Sequence, residues 1–201
     1  GQYYPIEEDE RGTYILNSRD LCMIEYIPQL AEAGLDSLKI EGRMKSAFYV
    51  ATIVSAYRKA LDAYYNDPTG YYFKKEWMDE LKKVSHREFT TGFYFDKPTN
   101  KDQNYQTSAY TRDYTFTGLV KSYNPHTGYA VVEQRNKMVI GDEIEIFGPD
   151  APFFVQKLTE MYNEDGEPID AAPHPQQILK IKMDKPVKEN YMLRKKKEKG
   201  N

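Results

Sequence analysis

Two hydrophobic periods meet in the first third of the chain. At Leu35–Glu41 the apolar Leu35, Leu38 and Ile40 are interleaved with Ser37, Lys39 and Glu41, the period-2 pattern of a short buried strand, and Gly42 ends it. Helical spacing follows, with Ser46 placed to start a helix through about Tyr65. Its expected apolar face is Ala47, Val50, Ala51, Val54, Tyr57, Leu61 and Tyr64, and Asn66-Asp67-Pro68 stops it. Upstream, the acidic stretch from Gln2 to Gly12 reads as an opening loop and Thr13–Leu16 as a brief strand. Ser18 or Asp20 then caps a helix through about Ala33, which keeps Leu21, Ile24, Ile27, Leu30 and Ala31 on one face. Pro28 is expected to divide this helix and Gly34 to terminate it. Strand–helix–strand–helix predicts parallel pairing. Two such units close no barrel and cover no sheet on both faces. Gly1–Asn66 therefore reads as the tail of a larger α/β domain.

Beyond Asn66 the pattern changes twice. Lys75–Val84 has the spacing of a short amphipathic helix with Trp77, Met78 and Leu81 inward, and His86–Phe93 reads as strand or turn. Lys97–Thr107 is polar throughout, a natural boundary between a unit at 1–96 and another at 110–195. From Tyr114 onward the runs are short and strand-like: Tyr114–Lys121, Tyr129–Gln134, Glu143–Phe147, Val155–Tyr162, Gln177–Lys182 and Tyr191–Arg194. Turn-forming residues separate them, which predicts a small closed β-barrel. The expected class is α+β in two domains.

Composition narrows the picture locally rather than globally. A formal net charge of −3 over 201 residues gives no overall reason to bind nucleic acid. From Lys180 to the end, however, nine Lys or Arg stand against three Asp or Glu. The closing Arg194-Lys195-Lys196-Lys197 reads first as a solvated tail and second as a phosphate-binding one. The single cysteine, Cys22, excludes an internal disulfide and fits a reducing cytoplasm. No apolar run reaches the ~20 residues of a membrane helix, so no membrane partner is expected.

Candidate chemistry gathers where strands empty into loops, the end at which α/β folds bind ligands. Asn17-Ser18-Arg19-Asp20 and Lys39-Glu41-Arg43-Lys45 emerge together if their strands are neighbours. Asp20, Lys39 and Glu41 are then candidates for proton transfer, and Ser18, Arg19, Arg43 and Lys45 for holding a substrate carboxylate or phosphate beside a helix start. A solvated loop or a buried ion-pair network predicts the same residues. No strained serine turn, HExxH, CxxC or phosphate loop occurs, which argues against a self-contained protease or metalloenzyme.

The run Tyr14–Cys22, the segment IPQLAEAGLDSLKIEGRMKSAFYVATIVSAYRKALD, the downstream REFTTGFYF and the β-rich end together resemble peptidase family U32, the collagenase-like proteins. The resemblance implies a TIM-like barrel followed by a C-terminal β-barrel, of which this chain holds the last βα units and the barrel extension. It implies as partners the N-terminal remainder of the same protein and either a collagen-type protein or a structured RNA. On the first alternative the chain is a substrate-recognition region without catalysis of its own. On the second it is the RNA-docking part of an iron–sulfur-dependent tRNA or rRNA base hydroxylase. The cluster's cysteines would then lie upstream, with Cys22 at most an additional ligand and no cofactor in this chain alone.

Overall fold

The computed structural model describes residues 7–10, 12–14, 19–97, 111 and 113–197. The chain divides into two units, Gly1–Arg112 and Asp113–Asn201. In the first, β1 (Glu7–Asp9), in the stretch expected to be loop, forms an antiparallel hairpin with β2 (Gly12–Tyr14), which overlaps the brief strand expected at Thr13–Leu16. The two-residue β3 (Asp20–Leu21) comes next. It pairs in parallel with β4 (Phe89–Thr90), a strand nearly seventy positions downstream and outside the expected strand–helix repeat.

The first helix is shorter than its periodicity predicts. A 3-10 turn at Ile24–Tyr26 leads into α1 (Ile27–Glu32), with Pro28 in its first turn. Proline there needs no amide partner, so it starts the helix rather than dividing it. Gly34 follows with φ of 73°, its N–H donating to Ala31 O at 3.0 Å, as a helix terminator should. Asp20 therefore caps nothing here.

The expected strand at Leu35–Glu41 is irregular backbone without a ladder. Alternation alone does not make a strand; the backbone also needs a neighbour, and among the described residues none pairs with it. The alternation survives only over Leu38–Glu41, where Leu38 and Ile40 are half-buried and Lys39 and Glu41 exposed; Leu35, expected inward, is exposed. The next helix, α2 (Ala47–Asn66), begins where expected, Ser46 Oγ accepting from Tyr49 N–H at 3.2 Å. At its end Asp67 Oδ1 accepts from Gly70 N–H at 2.9 Å and Thr69 Oγ1 at 3.1 Å, which holds that carboxyl below its ordinary range.

The buried face of α2 is Phe48, Thr52, Ile53, Ala56 and Ala60, directed at α1 and at α3 (Lys75–Leu81), whose buried residues are Trp77 and Leu81. This is not the stripe the spacing favours: Val50 is 37% and Val54 45% exposed. The helix carries apolar residues on two adjoining faces, and the stripe with the small alanines is the one that meets α3. The other face, with Val54, Tyr57 and Leu61, lines an open hollow together with Leu35, Leu38 and Ile40.

The second unit is built on seven antiparallel strands: β5 (Tyr114–Asn124), β6 (Tyr129–Gln134), β8 (Glu143–Gly148), β9 (Ala151–Lys157), β10 (Met161–Tyr162), β12 (Ile178–Lys182) and β13 (Met192–Lys196). Their spatial order is β10-β12-β6-β5-β13-β8-β9, and a small pair, β7 (Met138–Val139) with β11 (Ala171–Ala172), lies apart from the sheet. Buried residues alternate along β6 and β12, whereas β8 and β13 bury consecutive residues, Ile146–Gly148 and Leu193 with Arg194. Val120, Ala130, Val132, Ile144, Ile146, Leu179, Ile181 and Leu193 form one core with essentially no exposure. The expected closed barrel is corrected in one respect: no backbone ladder joins the outer strands among the described residues. Instead the sheet curls until the Gln156 carboxamide on β9 donates to Lys182 O at 2.7 Å and accepts from Asp184 N–H at 3.1 Å.

The basic run at the end is no tail through Lys196. β13 lies in the middle of the sheet between β5 and β8, and the Arg194 side chain is wholly buried. Its Nε donates to Glu145 Oε2 at 2.8 Å, its guanidinium lies 4.4 Å from the Phe147 ring centroid, and Lys195 Nζ reaches Asp142 Oδ2 at 2.6 Å. The two acidic partners stand about fifty positions upstream, so the charge run looks unpaired in sequence. Among the described residues no helix is long and apolar enough to cross a membrane.

Candidate functional site

The parallel pair β3/β4 organises the first group of candidate residues. Asp20 N–H donates to Glu88 O at 2.8 Å, and Cys22 N–H to Thr90 O at 2.9 Å. This sets the Asp20 carboxylate against the opposite chain, where Oδ2 accepts from Arg87 N–H at 3.0 Å. Arg19 pairs across the same gap with Glu88 at 3.0 Å. Beside them His86 Nδ1 lies 2.7 Å from Arg87 O, and its ring stacks on Phe89 at 4.9 Å. Arg87 and Glu88 are thus the companions of Arg19 and Asp20. Sequence reading missed this association because a two-residue parallel contact leaves no periodic signal.

The second group forms a separate exposed turn ahead of α2. Glu41 Oε1 accepts from Arg43 N–H at 2.8 Å, and Lys45 N–H donates to Gly42 O at 2.9 Å, closing the turn. Lys45 Nζ sits 5.1 Å from the Tyr49 ring centroid. Lys39, Glu41 and Arg43 all face solvent. Glu41, Arg43 and Lys45 are therefore together, whereas among the described residues no hydrogen bond or ion pair joins Asp20 to Lys39 or Glu41. Ser18 lies outside the described residues. Exposure yields a clear expectation: Lys39→Ala and Arg43→Ala each leave the melting free energy of the first unit within about 0.5 kcal/mol of wild type. Thermal melts check this, and a larger loss would assign these side chains to structure.

Cys22 is 8% exposed. Tyr57 O–H donates to its Sγ at 3.8 Å, while the Tyr57 oxygen accepts from Met23 N–H at 2.9 Å. Burial pushes the thiol up from its ordinary 9.0 and raises the Tyr57 phenol as well. An iron–sulfur cluster takes about four thiolate ligands. This chain has one cysteine, kept protonated in an apolar site, so its residues do not fit such a cluster by themselves. Among the described residues no group of three His, Cys, Asp or Glu side chains could hold a metal ion.

Iodoacetamide should consequently alkylate Cys22 in the folded chain more than about tenfold slower than in denaturant, read by mass spectrometry. Equal rates would contradict the buried, protonated thiol. Because the folded thiol titrates above its unfolded value, its contribution to stability is complete below pH 9.0 and is lost as pH rises further.

A parallel strand contact flanked by helices, followed by a separate antiparallel β-unit, defines a two-part α/β-plus-β protein with charged loops. Comparison with known families assigns it more narrowly. The description "Peptidase family U32" matches residues 2–104, and "Peptidase family U32 C-terminal domain" matches residues 112–194. The chain belongs to peptidase family U32. It is similar to the tRNA hydroxylation protein P1 of Bacillus subtilis, 43% identical over 187 residues, covering 93% of this chain and 44% of the relative. Similarity to the tRNA hydroxylation protein P of Haemophilus influenzae is 33% over 187 residues, covering 92% and 40%. A collagenase of Porphyromonas gingivalis is 32% identical over 160 residues, covering 79% and 44%. The chain thus spans less than half the length of each of these relatives.

Proposed function

We propose that this chain is the RNA-docking, C-terminal part of a tRNA hydroxylation protein, without catalysis of its own. The observation that carries the proposal is its 43% and 33% identity to relatives named for tRNA hydroxylation, along 93% and 92% of the chain and so through both units. On this reading Arg43 and Lys45, on the turn before α2, contact the RNA backbone, and Arg19, Asp20, Lys39 and Glu41 line the approach to a site completed by the remainder of the protein. That remainder is the principal partner. It packs on the hollow lined by Leu35, Leu38, Ile40 and Val54 and continues a TIM-like barrel of which β3 and α2 are late elements. An iron–sulfur cluster, if the whole protein uses one, is held by cysteines of that remainder.

The alternative, a recognition region for collagen-type protein, draws on the identity to the collagenase. Fluorescence anisotropy separates the two. The purified chain should bind labelled tRNA with an affinity that falls as salt rises, the mark of phosphate contacts, and should neither retain nor cleave gelatin. Binding to gelatin with none to tRNA would overturn the proposal.

A further inference from the structure

We infer that the outer face of β10, β12, β6 and β5 holds an unpaired RNA base, stacked on tyrosine with its phosphates on lysine. The inference rests on the RNA-docking reading above and gives it a place. Register aligns Tyr162, Lys180, Val131 and Ser122 in one row across four strands, and Lys182, Tyr129 and Asn124 in the next. The inward neighbours of these residues, Ala130, Val132, Leu179 and Ile181, fill the core, so alternation turns the two rows outward. Every residue of these rows but Lys182 lines, with Tyr123, Thr127 and Gly166, an open hollow of about 590 Å³, within the range of sites that take small ligands.

The tyrosines are fixed before anything binds. Tyr129 and Tyr162 O–H both donate to Glu160 Oε2, at 2.8 and 3.0 Å, and their rings meet edge to face at 5.9 Å. The shared carboxylate raises the Tyr129 phenol and is itself held below its ordinary range, so Glu160 stays charged and keeps both rings in place. Lys182 Nζ lies 5.0 Å from the Tyr129 ring centroid and donates to Thr127 O at 2.7 Å. Lys180 is exposed in the same row. Of the nearby carboxylates, Glu160 is occupied by the two phenols, Glu133 is paired with Arg135 at 2.6 Å and Lys121 at 3.6 Å, and Glu167 accepts from Asn163 Nδ2 at 3.1 Å. Glu164 and Asp165 stand exposed beside Gly166 at the rim of the hollow, so the phosphates run on the side away from them.

Rigid aromatic rings on an open sheet face, with lysines between them, are the arrangement that unpaired bases use: ring on ring, phosphate on cation. The exposed hydroxyls of Ser122 and Thr127 and the amide of Asn124 are placed to meet a base edge. A duplex hides its base faces and would gain only the charge. For a chain of net charge −3, this local pairing of cation and ring supplies an affinity that the overall charge does not.

The test uses the whole chain, a labelled single-stranded RNA of mixed sequence, the same RNA in a duplex, and labelled tRNA. The wild type should prefer the single strand. Tyr162→Leu should weaken single-strand binding about tenfold and duplex binding little, while Tyr162→Phe, which keeps the ring and loses only its hydroxyl anchor on Glu160, should weaken it far less than Leu does. Lys180→Glu, at an exposed position that folding does not need, should weaken both RNAs and lower the salt slope by about one. Unfolding of Tyr162→Leu, seen by circular dichroism, leaves the decision to Lys180→Glu and Tyr162→Phe. If tRNA binds but none of these variants changes binding, this face is wrong and the RNA-docking reading stands. If no RNA binds, both fall. A proline-rich collagen-type peptide that occupies the hollow without displacing RNA would also overturn the inference.

Discussion

Glu145→Ala should unfold the second unit at temperatures more than about 10 °C below wild type. Arg194 lies on the central strand β13 with its side chain wholly buried, and Glu145, on the adjacent β8, is the carboxylate that meets it, at 2.8 Å. Tyr114 O–H donates to the other oxygen of Glu145 at 3.1 Å, and the guanidinium stacks within 5.7 Å of the Phe153 ring and closer to Phe147. Removing the carboxylate takes away the Glu145 charge that meets a wholly buried cation, and breaking such a buried pair costs about 3–5 kcal/mol. In a unit of this size each kcal/mol lowers Tm by about 4–8 °C. The double variant Glu145→Leu/Arg194→Met removes both charges and should recover most of the loss. Thermal melts with hydrogen exchange on β13 amides read the effect. A single variant within about 1 kcal/mol of wild type would show that the pair does not hold the sheet.

Gly148→Ala should be the most damaging single methyl added to the chain. A Cβ built at Gly148 would lie 2.2 Å from the Tyr191 ring, against a ring that is 4% exposed and so has no room to retreat. The Tyr191 O–H donates to Asp150, which Lys188 also contacts, and burial together with that carboxylate pushes the phenol up to about 12. Strand β8 must therefore shift, at a cost of about 1–3 kcal/mol. Tyr191→Leu makes space, so the double variant should lose less than the sum of the single ones. Strict additivity in chemical denaturation would contradict the clash. The Tyr191 contribution is complete below pH 10.0 and is lost as pH rises towards 12.

The second unit was readable because most of its strands and turns carry their own local chemistry, although three of the sheet's six ladders join strands more than forty positions apart and left no sign of the strand order. Tyr129–Gln134 is a strand over the residues its alternation marks. Arg194 was one exception, since a charge run signals solvent unless its distant partners Glu145 and Asp142 are known; the run Val155–Tyr162 was another, being the end of β9 and the whole of β10, which pair with different strands. In the first unit the start of α2 was legible from Ser46, which caps it, but the buried face was not, because two apolar stripes compete and only α3 decides between them. The Leu35–Glu41 pattern correctly set Leu38 and Ile40 apart from Lys39 and Glu41, yet ladder formation depends on a neighbouring strand. The candidate site split for a related reason. Asp20 is drawn to Arg87 by the β3/β4 contact, while Glu41, Arg43 and Lys45 close a local turn. The Tyr129–Tyr162 hollow had no motif to betray it, being a product of register across four strands.

The most direct test of the central claim is the nucleoside composition of tRNA from the source organism with the full-length gene deleted, and from the deletion strain carrying the gene again. Mass spectrometry should find a hydroxylated nucleoside that disappears on deletion and returns on complementation, with Lys180→Glu in the restored gene lowering its amount. Unchanged tRNA nucleosides in the deletion strain, together with a loss of gelatin-cleaving activity, would contradict the account.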